Sequence, residues 1–176
     1  MKKGNLRKNE TLLKNKVIPA TLTALAVSIL TLILYYLNFD LSYGSGSSAI
    51  LFASFGTSAF VLFMMPKSKA AKIGSFVKAY IFGALLGLSG FYMLYALPLY
   101  VVAGIVIFFF SLVMYIGGAE HPPAIGIAMA FVLFRIDIYG VLVVAAGVVI
   151  LLFLRMVLEK FMYIVEKDII KDIEHK

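Results

Sequence analysis

The residues of this chain best suited to chemistry lie in the run Glu120-His121-Pro122-Pro123-Ala124. The imidazole of His121 can donate hydrogen bonds and changes its charge near neutral pH. Because proline lacks an N–H group and has a fixed φ, Pro122 and Pro123 can begin a helix but cannot lie inside one. The sequence therefore predicts a helix that starts at the prolines. Its first free N–H groups follow at Ala124, and the titratable pair Glu120 and His121 stands at its electropositive end.

A second polar group, which lies within an apolar segment, consists of Ser54, Gly56, Thr57 and Ser58. The hydroxyl groups of Thr57 and Ser58 are hydrogen-bond donors, and glycine at position 56 allows a backbone or an anion to approach closely. If the N–H groups after Ser54 converge with those after Pro123, two helix N-termini face a common point. Such a site suits a small monovalent anion that has shed its water.

A plainer interpretation of the same residues remains open. The Ser and Thr hydroxyls would bond helix carbonyls, the two prolines would only kink a helix, and the histidine would cap a neighbouring one. Glu120 is also open to more than one role. A carboxylate beside an anion site repels the anion unless it is protonated or paired, so Glu120 is expected to carry a proton or to pair with Lys78. An ordinary interfacial charge is the alternative.

The elements that position these residues must be membrane helices. Of 176 residues, 62% are hydrophobic and 14% are charged, whereas soluble domains are about 25% charged. Cysteine is absent and histidine occurs twice, so we expect neither a disulfide, nor a metal site, nor any other cofactor. The net charge of +7 is concentrated at the ends and in one loop, which indicates membrane topology rather than nucleic-acid binding.

Hydropathy divides the chain into three parts. Residues 1–16 form a basic arm, residues 17–160 a transmembrane domain, and residues 161–176 an amphipathic charged tail. The domain contains four full apolar runs and two short ones, which gives six segments. The full runs are Val17–Leu37, Phe76–Ala96, Leu99–Ile116 and Gly140–Leu154, the last of which continues into residues 155–160; the short ones are Ala49–Met65 and Ala119–Phe134.

An internal repeat relates the two halves of this domain, residues 17–96 and 97–160. The sequence Ala59-Phe60-Val61-Leu62-Phe63 recurs as Ala130-Phe131-Val132-Leu133-Phe134 at the end of each short segment. Basic residues in the arm, in the loop Lys67–Lys72 and after Arg155 indicate that all three lie in the cytoplasm. Six crossings satisfy this rule and place both termini inside. The sequence thus predicts an all-α membrane protein built from two inverted three-segment repeats, each with a short broken helix.

The His-Pro-Pro run and the stretch Ser54–Ala59 together resemble the HPP family of integral membrane proteins, over about residues 17–160. The resemblance implies transport, and plastid and cyanobacterial members are associated with nitrite. That family is usually described with four membrane segments, whereas six are predicted here because the two short ones are included.

We therefore expect a plasma-membrane transporter or channel for a small inorganic anion, with nitrite the leading candidate. The predicted substrate-binding residues are Ser54, Gly56, Thr57, Ser58, His121, Pro122, Pro123 and Ala124. The expected partners are the anion and the lipid bilayer, and a homo-oligomer is left open. The alternative is a membrane scaffold or accessory subunit without transport activity. An enzyme fits less well, because no serine–histidine pair with an orienting acid and no metal-binding motif is apparent.

Overall fold

The computed structural model of the protein describes residues 17–36 and 47–174. Within these ranges the chain forms six α-helices and two short 3₁₀ turns. The helices are α1 Ile18–Tyr36, α2 Ser47–Met64, α3 Ile73–Met93, α4 Leu99–Ile116, α5 Ile125–Leu133 and α6 Ile138–Glu174. The 3₁₀ turns are Lys69–Ala71, before α3, and Pro122–Ala124, before α5. The basic arm and the link between α1 and α2 lie outside the described residues.

Among the described residues, three helices are long and apolar enough to cross a membrane, namely α3, α4 and the Ile138–Val157 part of α6. Shorter apolar stretches cover Ile18–Ile33, Ile50–Met64 and Pro122–Leu133. The prediction of an all-α membrane protein is confirmed for the described part of the chain. The inverted three-segment repeat stays a prediction.

Helix α5 is the centre of the bundle, although it is the shortest of the helices described. Ile127, Ala128, Ala130, Phe131 and Val132 are all fully buried. The helix packs against α2, α3 and α4, and most closely against α3. A helix of nine residues is about 14 Å long, so α5 lies within the bundle and cannot cross it alone.

The close contact between α3 and α5 depends on glycine. A Cβ atom added at Gly87 would lie 2.9 Å from the backbone of Ala128, and one at Gly83 would lie 2.9 Å from the carbonyl oxygen of Ala124. These are the two glycines whose spacing of four residues predicts a small-residue contact face. The structure confirms that face and shows that it supports the helix after the prolines.

Two tight backbone reversals fix the ends of α4 and α5. Gly118 follows α4 with a φ of 58°, and the N–H of Ala119 donates to the carbonyl of Met114. After α5, Arg135 adopts a φ of 53° while the N–H of Ile136 donates to the carbonyl of Phe131. Both are Schellman-type ends, in which a left-handed residue lets the chain satisfy carbonyls at the end of the helix.

One expectation about the short segments is corrected by the structure. The first segment is not a broken helix, because α2 runs unbroken from Ser47 to Met64 with Ser54 in its interior. A single glycine costs a helix about 1 kcal/mol, which flanking apolar residues readily offset, so Gly56 does not interrupt α2. Only the second segment is broken, at the prolines. In addition, α6 and the predicted tail are one continuous helix as far as Glu174.

Candidate functional site

The side chain of His121 is fully buried at one end of the bundle. It lies between the interior of α2, the first turns of α3 and the 3₁₀ turn Lys69–Ala71. The position of His121 follows from the breaks in helical structure before and after it. Gly118 reverses the backbone after α4, and the prolines start the next helical turn directly after the histidine.

Both ring nitrogens of His121 are hydrogen-bonded. Nδ1 lies 2.8 Å from the carbonyl oxygen of Ala70, and Nε2 lies 2.8 Å from Oγ of Ser58. A carbonyl oxygen has no hydrogen to donate, so Nδ1 must carry the proton. In the neutral ring Nε2 is then the acceptor, and Ser58 donates to it. The backbone of the 3₁₀ turn thus fixes both the tautomer and the orientation of the imidazole.

A tyrosine extends this contact into a network. Tyr80 Oη lies 2.7 Å from Ser58 Oγ and 3.3 Å from the carbonyl oxygen of Ser54, so its one hydrogen can be donated to either acceptor. The hydroxyl of Ser54 in turn donates to the carbonyl of Pro123. Ser58, Tyr80 and His121 are almost completely buried, and Ser54 is only 3% exposed. The network therefore joins α2, α3 and the start of the proline-initiated helix through hydroxyl groups, carbonyl groups and an imidazole.

Aromatic rings enclose the network on the α3 side. The Phe76 ring meets the His121 ring edge-on at 5.1 Å, and the Tyr80 ring stacks on Phe55 at 5.3 Å. These rings exclude water and lower the local polarity, which strengthens each hydrogen bond of the network.

Burial lowers the pKa of His121, which lies between α4 and the 3₁₀ turn Pro122–Ala124 and outside the apolar helices of the structure, below its ordinary value. The hydrogen bond from Nδ1 to Ala70 offsets part of that effect. The imidazole is consequently neutral at pH 7. Its change of charge is thus moved to a lower pH than that of an unperturbed histidine.

The structure brings together some of the predicted site residues and not others. Ser54, Ser58, His121 and Pro123 meet in the network. The exposed Thr57 hydroxyl instead bonds back to the carbonyl of Ala53 at 2.7 Å.

The remaining predicted residues lie beside the network. Gly56 faces Val27 of α1. Pro122 is exposed, and Ala124 is buried against Gly83.

The predicted pair of convergent helix N-termini is wrong. Ser54 is in the middle of α2, where backbone N–H groups are bonded within the helix. At the second segment the prolines have no N–H. The N–H of Ala124 donates to the carbonyl of His121, and that of Ile125 to the carbonyl of Pro122. The backbone N–H groups at these two positions are therefore already used within the chain.

Charged groups lie around the same end of the bundle. Glu120 is paired with Lys69 at 3.6 Å, both largely exposed, rather than with the exposed Lys78. The Arg155 guanidinium, mostly buried, donates to the carbonyl of Ala71 and pairs with Glu159 at 2.7 Å. The 3₁₀ turn is thus held by a histidine at Ala70, an arginine at Ala71 and an ion pair at Lys69.

Sequence reasoning missed three participants, namely Tyr80, the carbonyl of Ala70 and Arg155. A tyrosine one turn inside a span was a usable signal, since a buried phenol generally needs a hydrogen-bond partner. The carbonyl carries no residue-specific signal at all. Across residues 17–36 and 47–174, no group of three or more His, Cys, Asp or Glu side chains is placed to hold a metal ion.

The network also contains a serine hydrogen-bonded to a histidine, the pair used in acyl transfer. Here the imidazole is oriented by a backbone carbonyl rather than by an acid. Ser58 lies inside a helix and is fully buried. Within the described residues, the imidazole nitrogens bond to Ser58 and to the carbonyl of Ala70, and neither bonds to a carboxylate.

Comparison with known proteins matches the chain to a family of membrane proteins. The family model HPP, transmembrane region, matches residues 11–166, which is most of the chain. No curated protein and no solved structure matches the sequence. The extent of this match, together with the His-Pro-Pro run, leads to one conclusion: the chain belongs to the HPP family of membrane proteins.

Proposed function

We propose that this protein carries a small inorganic anion, nitrite being the leading candidate, across the membrane by way of the His121 network. The observation that carries the proposal is the chemistry of that network. Three hydroxyl groups and an imidazole, from Ser54, Ser58, Tyr80 and His121, meet inside an apolar bundle without a carboxylate among them. Such donors suit a monovalent anion better than a cation.

Basic residues at the same end support entry of an anion. Lys67, Lys69 and Lys72 are exposed there, and Arg155 lies just behind the 3₁₀ turn. Clustered positive charge raises the local concentration of anions. By the positive-inside rule we place this end in the cytoplasm.

Binding must exchange hydrogen bonds rather than fill vacant ones. Each buried side-chain polar atom in the described residues has a partner, so an anion has to draw a hydroxyl away from its present acceptor. The hydroxyl groups of Ser58 and Ser54 now donate to a ring nitrogen and to a carbonyl oxygen. Each can turn its hydrogen towards an anion by rotation about its C–O bond. The 3₁₀ turn that covers His121 must shift for the anion to enter.

The test is uptake by purified protein in liposomes. Nitrite, nitrate and formate are offered separately, and uptake is compared with that of protein-free liposomes of the same lipid. We expect protein-dependent uptake of at least one of these anions. A scaffold or accessory subunit would give none, and equal uptake with and without protein for all three would overturn the proposal.

A further inference from the structure

The His121 network has one titrating position, and its geometry identifies it. Nδ1 faces the carbonyl of Ala70 at 2.8 Å and must keep its hydrogen while that contact lasts. Only Nε2, 2.8 Å from Ser58 Oγ, can gain or lose a proton. A proton that arrives at the buried ring must therefore be placed between His121 and Ser58.

In the neutral form the hydrogen bonds run towards the histidine. Ser58 donates its hydrogen to Nε2, which leaves its oxygen free to accept. Tyr80 Oη, 2.7 Å away, then donates to that oxygen. The network is complete in this form, with each hydroxyl hydrogen used once.

In the protonated form the same atoms can form hydrogen bonds that are donated away from the histidine. Nε2–H donates to Ser58 Oγ, and the Ser58 hydrogen turns to Tyr80 Oη at 2.7 Å. The Tyr80 hydrogen then turns to the carbonyl of Ser54, 3.3 Å away. Each donor again has an acceptor, although no heavy atom has moved. A buried charge is costly unless hydrogen bonds support it, and here they are already in place.

What the protonated ring lacks is a counter-ion. The elements packed against it contribute these charged or titratable groups: Lys69 and Glu120, paired with each other at the surface; Lys72 and Lys78, both exposed; Arg155, bound to Ala71 and Glu159; and Tyr80. Through the described part of the chain, the polar contacts of the ring are those to Ser58 and Ala70. An imidazolium at this position would therefore attract an anion.

We propose that Nε2 of His121 is a proton-binding site, and that its proton crosses together with the anion, so that transport is anion–proton symport. The symport rests on the proposed function. A proton and a monovalent anion together carry no net charge, which removes most of the cost of moving either one through the bundle. The proton is bound at Nε2 as the anion enters and leaves with it on the opposite side.

The proton site is tested by nuclear magnetic resonance on the full chain in lipid nanodiscs. The sequence has two histidines, so ¹⁵N-histidine labelling of a His175→Gln variant leaves His121 alone. We expect Nδ1 to stay protonated while Nε2 gains a proton as the pH falls from about 8 to about 4. Added nitrite should move the midpoint upward, because an anion stabilises the protonated ring. Titration at Nδ1, or no titration, would overturn the proposal.

The symport is tested in liposomes that contain a pH dye. We expect nitrite uptake to bring protons with it, and His121→Gln, which keeps hydrogen-bonding groups but cannot titrate, to lose that proton uptake at least tenfold. Nitrite uptake without proton uptake in the wild type would overturn symport. Titration at Nε2 without uptake of any anion would support the proton site and overturn the proposed function.

Discussion

Ser58 is the residue that connects His121 to Tyr80 in the network, because its hydroxyl group contacts both side chains. Its partners are 63 and 22 residues away in sequence. The chemistry of serine, histidine and the two prolines was visible in the sequence, and so was their common location. Tyr80 and the carbonyl of Ala70 were not, because which hydroxyl or carbonyl meets a given imidazole depends on how the helices pack.

The neutral state of His121 predicts a pH dependence of stability. Burial lowers the pKa of His121 in the folded protein, whereas the unfolded chain keeps a value of about 6.5. Just below that value the unfolded state binds more protons, so stability falls as the pH falls through the window between the two pKa values. Above about pH 6.5 this group contributes its full stabilisation.

The measurement is the midpoint temperature of thermal unfolding in detergent, at pH values between about 8 and 5. Unfolding is monitored by circular dichroism, and the His175→Gln variant serves as the reference protein. The additional change His121→Gln should lower the midpoint at pH 8 and flatten its pH dependence. An equally steep fall in both proteins would show that another group is responsible.

Ser58 also allows a check on enzymatic activity. Because the residue is fully buried within α2, we expect it to be inert towards a fluorophosphonate that labels activated serines. The reagent is applied to the folded protein, and labelled peptides are identified by mass spectrometry. Stoichiometric labelling of Ser58 would favour a hydrolase instead.

At the scale of elements, the stripe of glycine on α3 determines how closely α5 can pack. A Cβ atom at Gly87 would lie 2.9 Å from both the Cα and the carbonyl oxygen of Ala128. Backbone atoms cannot move aside cheaply, so Gly87→Ala should destabilise the protein by about 1–3 kcal/mol. Gly104→Ala is the matched control in the interior of α4, since nothing lies within 4 Å of its added Cβ.

The expected result for Gly104→Ala is no loss, or a gain of up to about 1 kcal/mol from helix propensity. Unfolding by denaturant in a lipid–detergent mixture compares the two variants. Equal stability of Gly87→Ala and the wild type would contradict the close approach of α3 and α5.

The elements themselves were largely predictable from apolar run length and proline. Leu99–Ile116 was predicted with its observed bounds, because Pro98 and Gly117–Gly118 mark both ends. The start of α2 was predicted within two residues, because the first short segment was given as Ala49–Met65 and the helix begins at Ser47. The wrong step was to treat Ser54, inside that segment, as a helix N-terminus, and to build an anion site from the backbone N–H groups after it.

For the whole molecule, the distribution of basic residues predicts the side of the membrane on which each loop is found. Lys69 contacts Glu120, and Arg155 contacts Ala71. The turn before α3, the turn before α5 and the Arg155 part of α6 therefore lie at one end of the bundle. Single cysteines at Lys67 and Leu97, introduced into this cysteine-free chain, should react with an impermeant maleimide from the inside and the outside respectively.

Labelling is done on intact cells and again after permeabilisation. Reaction of the Lys67→Cys variant in intact cells would contradict the cytoplasmic location of this end. It would also remove the reason for inferring an inverted repeat, which stays a prediction.

The central claim is that the buried network binds the transported anion, and a matched pair of serines tests it most directly. Ser58 donates within the network, whereas the exposed Ser89 bonds back to Leu85 in its own helix. A lost hydrogen bond to a charged group is worth about 1.5–3 kcal/mol, which corresponds to roughly a ten- to a hundredfold loss of apparent affinity.

The measurement is the initial rate of nitrite uptake into liposomes over a range of nitrite concentrations, with equal amounts of correctly inserted protein. The account predicts a ten- to hundredfold weaker apparent affinity for Ser58→Ala, and wild-type kinetics for Ser89→Ala. Wild-type kinetics for both variants would contradict it.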